Sequence, residues 1–424
     1  MVERKLITKR CGIINPMSID DYIAHQGYSM LQKAMLMEKT SIIEEIEQSK
    51  IRGRGGAGFY AAIKLWGMAK AVSTSKYIIC NADEGEPGNF KDRYLMENDP
   101  HLILEGMIIA AYATQATHGY IYIRREYDHI IELMKWTINQ AKERGFLGDN
   151  ILGTKYSLDI EVRSGAGSYV CGEEFALIES IEGKPGRTRV KPPYPTKQGL
   201  FNKPTLIQNV ETFANFPLII EISGQEYAKI GTPSSTGTKL ISLSGNVKRK
   251  GVFEVEFGTS IIDVIEQCGQ GAEDNHRIKM VQLSGACGPI IPEYMLDMII
   301  DFERFEEFES KMGAGAIIVI DERFDLFDIL HRINTFFAHE SCGKCTPCRE
   351  GHLQLEKLIQ KFEHKEATLK DLISLESLTR VMHQTSLCGL GQSSPTAIVS
   401  SLRYFRDEYL DCIEHPIQSR EVTI

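Results

Sequence analysis

Apolar and polar positions along this chain fall into two alternating rhythms. Residues 1–50 read as helical and acidic, with Asn15-Pro16 as an early breaker. A glycine-rich loop follows, Gly53-Arg54-Gly55-Gly56-Ala57-Gly58-Phe59. A short apolar run at 77–80 predicts a strand, ending in the polar loop Asn81-Ala82-Asp83-Glu84-Gly85-Glu86-Pro87-Gly88. The pattern then predicts a helix over 100–113, a strand over 119–124, a helix over 127–144 and a strand over 156–162. A second glycine loop, Ser164-Gly165-Ala166-Gly167, opens a predicted helix over 171–181. Strand–helix–strand alternation at this spacing predicts an α/β fold with a parallel sheet.

Residues 183–204 are rich in Pro, Gly, Lys and Arg and predict a long loop, and long loops in compact domains are often functional. From about 238 the texture changes to short β-rich runs, closed by Gly315-Ala-Ile-Ile-Val-Ile-Asp321, which predicts a small α+β unit. From 324 onward the rhythm is helical, with predicted helices over 325–339, 349–363, 367–382 and 393–408. No internal repeat or low-complexity segment appears.

The 424 residues suit two to four domains at roughly 100–200 residues each. Hydrophobic content of 42% and charge of 25% are ordinary for a globular chain. A net charge of −9 argues against nucleic-acid binding. The longest apolar candidate, 102–113, is broken by Glu105 and too short to cross a bilayer. The N-terminus lacks the apolar stretch of a secretory signal. The expectation is a cytoplasmic protein without direct membrane insertion.

Ten cysteines change the picture, because three of them stand within seven residues. In a cytoplasmic chain that spacing points to metal rather than to disulfides. In Cys342-Gly-Lys-Cys345-Thr-Pro-Cys348, three thiolates can each take one iron of a cubane. Cys388, in the break between two predicted helices, can supply the fourth ligand if the intervening helices form a hairpin. Four cysteines suit a [4Fe–4S] cluster; the alternative is structural zinc in a four-cysteine site. Cys11, Cys80, Cys268, Cys287 and Cys412 read as small buried hydrophobes, Cys171 as packing, and His339 as a supporting donor or a packed side chain.

The loop from Gly53 to Gly58 matches G-x-G-x-x-G, but a helix-like segment precedes it, so an ordinary Rossmann fingerprint is not supported. Its glycines still allow backbone N–H groups to approach an anion, with Arg54 and Lys64 adding charge; the alternative is a basic turn. The second glycine loop places donors at a helix start, where Glu173 and Glu174 also suit the helix dipole. Asn81, Asp83, Glu84 and Glu86 crowd the carboxyl end of a predicted strand, where ligands bind in open α/β sheets. The alternative there is a solvated acidic turn.

Taken in order, Gly53–Phe59, Asn81–Gly88, Lys91-Asp-Arg93, Gly165-Ala-Gly167, Cys171-Gly-Glu-Glu174, Lys191-Pro-Pro193, Asn209-Val-Glu-Thr212 and Glu340-Ser-Cys-Gly-Lys-Cys-Thr-Pro-Cys-Arg-Glu-Gly351 resemble the flavoprotein subunit of NADH dehydrogenase. They resemble also its relatives in NAD-linked, including electron-bifurcating, hydrogenases and formate dehydrogenases, and Cys388-Gly-Leu-Gly391-Gln and the Lys248–Gly251 region look more like these soluble relatives than like the membrane respiratory complex. The resemblance runs from about 40 to 409. It implies a Rossmann-like FMN- and NAD(H)-binding domain over 1–235 with an N-terminal helical extension. A β-grasp-like, soluble-ligand-binding domain over 236–325 and a helical [4Fe–4S] domain over 326–424 would follow.

The resemblance also implies roles. Gly53, Arg54, Gly55, Gly56, Lys64, Asn81, Asp83, Glu84, Gly172, Glu173 and Asn209 would contact FMN. Phe59 and Tyr194 would pack the adenine or the body of the coenzyme. Glu86 would lie beside the nicotinamide, Lys191 by the ribose-phosphate and Glu174 at the adenosine ribose. Gly58, Tyr169 and Gln208 complete the cofactor-binding set, and Cys342, Cys345, Cys348 and Cys388 would hold the cluster.

Departures from the family pattern concentrate around the expected adenine pocket. Tyr60-Ala61-Ala62 replaces the usual Pro-Thr-Gly, Leu65 separates Lys64 from Trp66, the second aromatic expected near Gly67 is missing, and Gln208 stands where Asn is common. The thioredoxin-like [2Fe–2S] and ferredoxin-like domains of larger relatives are not encoded in these residues. The implied partners are therefore a thioredoxin-like [2Fe–2S] subunit and an Fe–S-rich hydrogenase or formate dehydrogenase subunit. Hydride would pass between NAD(H) and FMN, then single electrons to the cluster, with Glu86 as the residue nearest the chemistry. The alternatives are the same subunit in a quinone-reducing respiratory complex, or a non-catalytic Fe–S scaffold whose nucleotide site has decayed.

Overall fold

A computed structural model describes residues 2–307 and 311–413; positions 414–424 of the expected cluster domain lie outside the described residues. A four-stranded, fully parallel sheet organises the first half. Its strands are β1 (Tyr77–Ala82), β2 (His118–Ile123), β3 (Asp159–Ser164) and β4 (Thr205–Asn209), in the order β3-β2-β1-β4. Side chains alternate between its two faces, as strand geometry requires. Ile78, Cys80, Ala82, Ile121, Ile123 and Leu206 enter one core, while Ile79, Tyr120, Tyr122 and Ile207 enter another.

The first core is closed by α1 (Lys39–Gln48), α2 (Ala61–Lys70), α3 (Lys91–Asn98), α4 (Pro100–Thr114), α5 (Asp128–Glu143) and, after β4, the helix Val210–Ile222. α4 is apolar on nearly every side and lies at the centre, as an all-round apolar helix must. Its one acidic residue, Glu105, is buried. It accepts the amides of Tyr28 and Leu31 at 3.0 and 2.9 Å and the hydroxyl of Tyr22 at 2.5 Å.

The expected helical character of 1–50 holds only from 19 onward, where helices span Ile19–Ala24, Ser29–Met35 and Lys39–Gln48. Before that the chain lies along the second sheet. Glu3 bridges Val255, and the amides of Leu6, Ile7 and Thr8 donate to the buried Glu254.

The second sheet has five strands, β5 (Thr238–Gly245), β6 (Gly251–Glu256), β7 (Ile278–Leu283), β8 (Ile290–Pro292) and β9 (Ala316–Asp321), in the order β6-β5-β9-β7-β8. β5 and β9 run parallel and the other pairs antiparallel.

The remaining labelled helices are α6 (Glu174–Ile181), α7 (the Val210–Ile222 helix), α8 (Leu326–Glu340), α9 (Thr346–Glu363), α10 (Leu369–Thr385), α11 (Gly389–Ser393), α12 (Thr396–Tyr404) and α13 (Arg406–Asp411). α9 and α10 form the expected hairpin. The single helix expected over 393–408 is instead three short ones. Pro395 has no N–H to continue α11, and Phe405 leaves helical geometry between α12 and α13. The last helices and α6 pack on the second face of the parallel sheet and share one core with it.

The predicted strand over 156–162 is shifted to Asp159–Ser164, because Gly148 and Leu158 pair in an irregular bend just before it. β4 and α7 were not predicted.

Between the sheets lies a charge cluster without solvent. Lys239, from β5, pairs with Glu211 of α7, and both side chains are 0% exposed. Lys91 reaches the same Glu211 at 3.0 Å and its own neighbour Asp92 at 2.6 Å. Burial alone would raise Glu211, but Lys239, Lys91 and Arg54 outweigh it and hold it ionised. Removing one member of a buried ion pair costs about 3–5 kcal/mol, because it strands the others. Glu211→Ala should therefore lower the unfolding free energy by about that much in urea. A loss under about 1 kcal/mol would show that the cluster is not a constraint on the fold.

Candidate functional site

The chain winds from β1 to β2 to β3 in one direction, then returns to place β4 on the other side of β1. The carboxyl ends of β1 and β4 are thus a topological switch point, where open α/β sheets bind ligands. Asn81 and Asn209 face each other there in register. Asn81 Nδ2 donates to Gly172 O at 2.9 Å, tying β1 to the turn before α6. Asn209 Nδ2 donates to Asp92 at 2.6 Å, and its Oδ1 accepts Lys91 at 3.2 Å.

The glycine loop from Gly53 to Gly58 lies against this point. A Cβ at Gly55 would stand 2.8 Å from Asn209 Cβ, and Gly56 adopts φ +132° while bridging Gly313 of the second sheet unit. Only glycine allows that approach. α1 precedes the loop and α2 follows it, so the loop is not a strand-to-helix fingerprint, as its sequence context indicated. Gly53 closes the loop through its amide to Phe59 O at 2.8 Å, and at Gly58 a Cβ would stand 2.6 Å from Phe302.

Arg54 points inward instead of across the loop. It is fully buried, donates to Thr236 O at 2.6 Å and stacks on Phe257 at 4.6 Å.

Three carboxyl groups follow β1, all pushed up by burial. Asp83 reaches about 7, with Arg124 opposing and Glu126 and Glu340 adding. Glu84 reaches about 8, Asp92 reinforcing burial. Glu86 reaches about 7 against hydrogen bonds from Tyr169 and Cys287. Their duties differ. Glu84 caps α3, accepting the amides of Asp92 and Arg93 at 2.9 Å each. Glu173 caps α6, accepting the amides of Phe175 and Ala176 at 3.0 Å each. The helix expected from 171 therefore begins at Glu174, and the donors of its first turn already serve Glu173.

At the start of α6, Lys64 of α2 pairs with Glu174 and donates to Ile207 O at 3.1 Å. Lys191 lies 2.8 Å from Glu173 and 3.4 Å from Glu174. Burial would raise Glu174, but the two lysines bring it below its ordinary value. Phe59 and Tyr194 remain exposed, on segments that flank α2, where Thr196 touches Gly67.

Of the four cysteines expected to hold a cluster, Cys342 lies in the loop after α8 and the other three stand at helix starts. Cys345 is the residue before α9, Cys348 is in its first turn, and Cys388 is the residue before α11. Helix N-termini favour negative charge. Burial pushes the Cys348 thiol up to about 11, and Cys345, Cys388 and Cys342 are close enough to add to that. Four thiols so placed repel one another once ionised, and bound cations would relieve that repulsion. Among the described residues no three His, Cys, Asp or Glu gather closely enough for a single ion; a cubane, with each thiolate on a different iron, asks for a wider spread. Gly391 permits the close approach, since a Cβ there would stand 3.0 Å from Cys348 Cβ.

The two sites adjoin. Glu173 is among the groups acting on Cys388, and Glu340, next but one to Cys342, acts on Asp83 and accepts the Tyr169 amide at 2.8 Å.

Residues 46–218 match the family model described as the Nuo51 FMN-binding domain. Residues 328–412 match that of the NADH-ubiquinone oxidoreductase-F iron-sulfur binding region. Among curated relatives, the NADH-quinone oxidoreductase-F protein of Aquifex aeolicus is 43% identical over 404 residues, 95% of this chain and 93% of that one. The chain belongs to the NADH-quinone oxidoreductase-F family. The NADP-reducing hydrogenase subunit HndC of Solidesulfovibrio fructosivorans is also 43% identical, over 96% of this chain and 82% of that one.

Two crystal structures of NAD+-reducing [NiFe]-hydrogenase superpose with TM-scores of 0.82 and 0.84 at 35% and 33% identity. They cover 90% and 99% of this chain, which spans 63% and 69% of theirs. As a member of the oxidoreductase-F family the chain is an oxidoreductase component that binds FMN and a [4Fe–4S] cluster, which displaces the zinc and scaffold alternatives. No helix among the described residues is long and apolar enough to cross a membrane.

The residues present fit a flavin. Asp83 Oδ2 and Gln208 Nε2 are buried at the switch point without a protein partner, which is costly unless a ligand supplies one. Cys171 packs, as expected. Lys91, Glu211, Lys239 and Cys287 were not foreseen at the site. Lys91-Asp-Arg93 and Asn209-Val-Glu-Thr212 were visible as motifs without a role for Lys91 or Glu211, and nothing local marks Lys239 or Cys287. Cys287, expected to be a buried hydrophobe, is half-buried with its amide on Glu86 at 2.9 Å.

Asp83 generates a pH test. A carboxyl whose folded pKa is raised binds protons more tightly when folded, so its contribution to stability is present below the unfolded value and lost as pH rises to about 7. Asp83→Asn should therefore stabilise the FMN-free chain more at pH 8 than at pH 5, read as thermal midpoints, while weakening flavin retention. Equal midpoint changes at the two pH values would contradict this.

Proposed function

We propose that this chain is the diaphorase subunit of a multisubunit redox enzyme. It would transfer hydride between NAD(H) and FMN at the β1/β4 switch point. Single electrons would then pass to a [4Fe–4S] cluster held by Cys342, Cys345, Cys348 and Cys388. The observation that carries this reading is that the two sites adjoin: the Tyr169 amide, in the turn before α6, donates at 2.8 Å to Glu340, next but one to Cys342. FMN, when bound, supplies the conversion between a two-electron donor and one-electron carriers.

The chain's own residues bind and orient. Asn81, Asp83, Gln208 and Asn209, with the amides of Gly53–Gly56, would hold the flavin. Arg54 and Glu84 serve it from behind, one bracing the glycine loop and the other capping α3. Glu86 would orient the nicotinamide, with no side-chain acid or base required for hydride transfer. Lys191 and Glu174 would face the ribose-phosphate part of the coenzyme, with Phe59 and Tyr194 at the adenine.

The hydrogenase relative and structures favour a hydrogenase partner; the sequence resemblance adds a formate dehydrogenase as the other candidate and a thioredoxin-like [2Fe–2S] subunit as a further partner. The Aquifex relative favours a second reading, the flavoprotein subunit of a quinone-reducing complex. Co-purification of the native complex with flavin and metal analysis tests the proposal. The expected result is one FMN and about four irons with four sulfides in this chain. Full turnover of hydrogen, formate or quinone by the isolated chain would contradict the need for partners.

Cys388→Ser should abolish or convert the cluster EPR signal while FMN stays bound, since Cys388 caps α11, away from the strands of the switch point. A full signal after reduction would remove Cys388 from the ligand set. Glu174 should set coenzyme preference. Its carboxylate can accept from ribose hydroxyls but repels a 2′-phosphate of charge about −2. Lys64 and Lys191 offset part of that charge, so the expected preference for NADH is about tenfold, ~1.4 kcal/mol. Glu174→Ala frees Lys64 of its carboxylate and leaves Lys191 to Glu173 alone, and should improve kcat/KM for NADPH with a dye acceptor more than it harms NADH. An unchanged ratio would remove Glu174 from the ribose site.

A further inference from the structure

The Glu86 carboxyl is held from two directions by residues distant in sequence. Its Oε2 accepts the hydroxyl of Tyr169, and its Oε1 accepts the amide of Cys287 at 2.9 Å. Tyr169 lies against Phe336 and Phe337 of α8, with ring centroids 5.2 and 6.2 Å apart, and its own amide is fixed on Glu340. Cys287 belongs to the tight turn between β7 and β8 of the five-stranded sheet.

That turn is itself fixed. Ser284 adopts φ +65°, costly for a residue with a Cβ. Its hydroxyl donates to Met312 O at 2.6 Å and its amide to Ala316 O at 2.7 Å. Position 285 must be glycine. Its φ is +76°, and a Cβ there would stand 2.5 Å from Glu86 Cγ and 2.9 Å from Glu86 Oε1.

We propose that the turn from Ser284 to Cys287 is a positioning element of the coenzyme site, fixing the Glu86 carboxyl from the five-stranded sheet while Tyr169 fixes it from the cluster side. This rests on the placement of Glu86 beside the nicotinamide. Each carboxylate oxygen has two lone pairs, so one on each remains for a ligand amide, in a direction set by the two donors. The donors bonded to Glu86 are the Tyr169 hydroxyl and the Cys287 amide; the Ala286 amide and the Cys287 thiol face it from nearby, the thiol donating to Ser284 O at 3.4 Å. These donors favour the ionised form against burial, which pushes Glu86 up to about 7. Glu86 in turn helps keep the Cys287 thiol protonated, after burial itself.

The test uses the holoenzyme. Tyr169→Phe removes one donor, so the Glu86 carboxyl titration should move up by about one pH unit. The readout is the infrared carboxyl stretch, identified by its loss in Glu86→Gln. KM for NADH should rise about tenfold, with a smaller change in kcat. Gly285→Ala should move both in the same direction and further. Because that variant also strains its backbone, Cys287 alkylation by iodoacetamide, read at this residue by mass spectrometry, gives an independent measure. Glu86→Gln should speed it several-fold at pH 8.

Unchanged alkylation in Glu86→Gln, or an unmoved titration in Tyr169→Phe, overturns the proposal. Altered alkylation and titration with an unaltered KM overturns instead the placement of Glu86 at the nicotinamide.

Discussion

The Lys239–Glu211 pair is the constraint on which the arrangement depends. Its two side chains come from different parts of the molecule, strand β5 of the second sheet and helix α7 behind the first, and have no exposed surface. Burial pushes Lys239 down to about 7 even with Glu211 beside it, so the pair is not cheap to keep. What it fixes is Glu211 at the start of α7, two residues after Asn209. Asn209 meets Asn81 across the β1/β4 boundary, and Gly55 lies on Asn209. The glycine loop, the strand ends and the second sheet are thus registered against one another through a single carboxylate shared by Lys239 and Lys91. A merely apolar contact would tolerate sliding by a residue; this cluster does not, because any slip leaves a buried charge alone.

The parts most legible in the sequence are those where chemistry dictates residue type at fixed spacing. The cysteine triplet, the glycine loop and the acidic run after β1 all lie where their patterns indicated, and the parallel sheet follows from the alternation of strands and helices. β4 and α7 escaped because β4 has only five residues and α7 contains Pro217, which sequence rules place outside a helix. Lys239 and Glu211 stand 28 positions apart with no local signal joining them. Cys287 was unreadable for the same reason, since its role comes from a turn meeting Glu86, 201 positions away.

Several residues expected to touch ligand spend their side chains on the protein. Arg54 stacks on Phe257, Glu84 caps α3 and Glu173 caps α6. Their motif positions are meaningful, but the physical role is to hold backbone at the site. A motif identifies which residues a site needs more readily than it separates the groups that face the ligand from those that brace it.

The second face of the parallel sheet and the C-terminal helices share one core, with Ile79, Tyr120 and Ile207 packed in the same cluster as Phe337, Leu355 and Leu390. Neither half of that core is closed by itself. Recombination between lineages that cut between the flavin-binding and iron-binding segments would join surfaces never selected to fit each other. Descent should therefore have carried the two segments, 46–218 and 328–412, as one inherited block, free to change partner subunits but not to exchange its own halves.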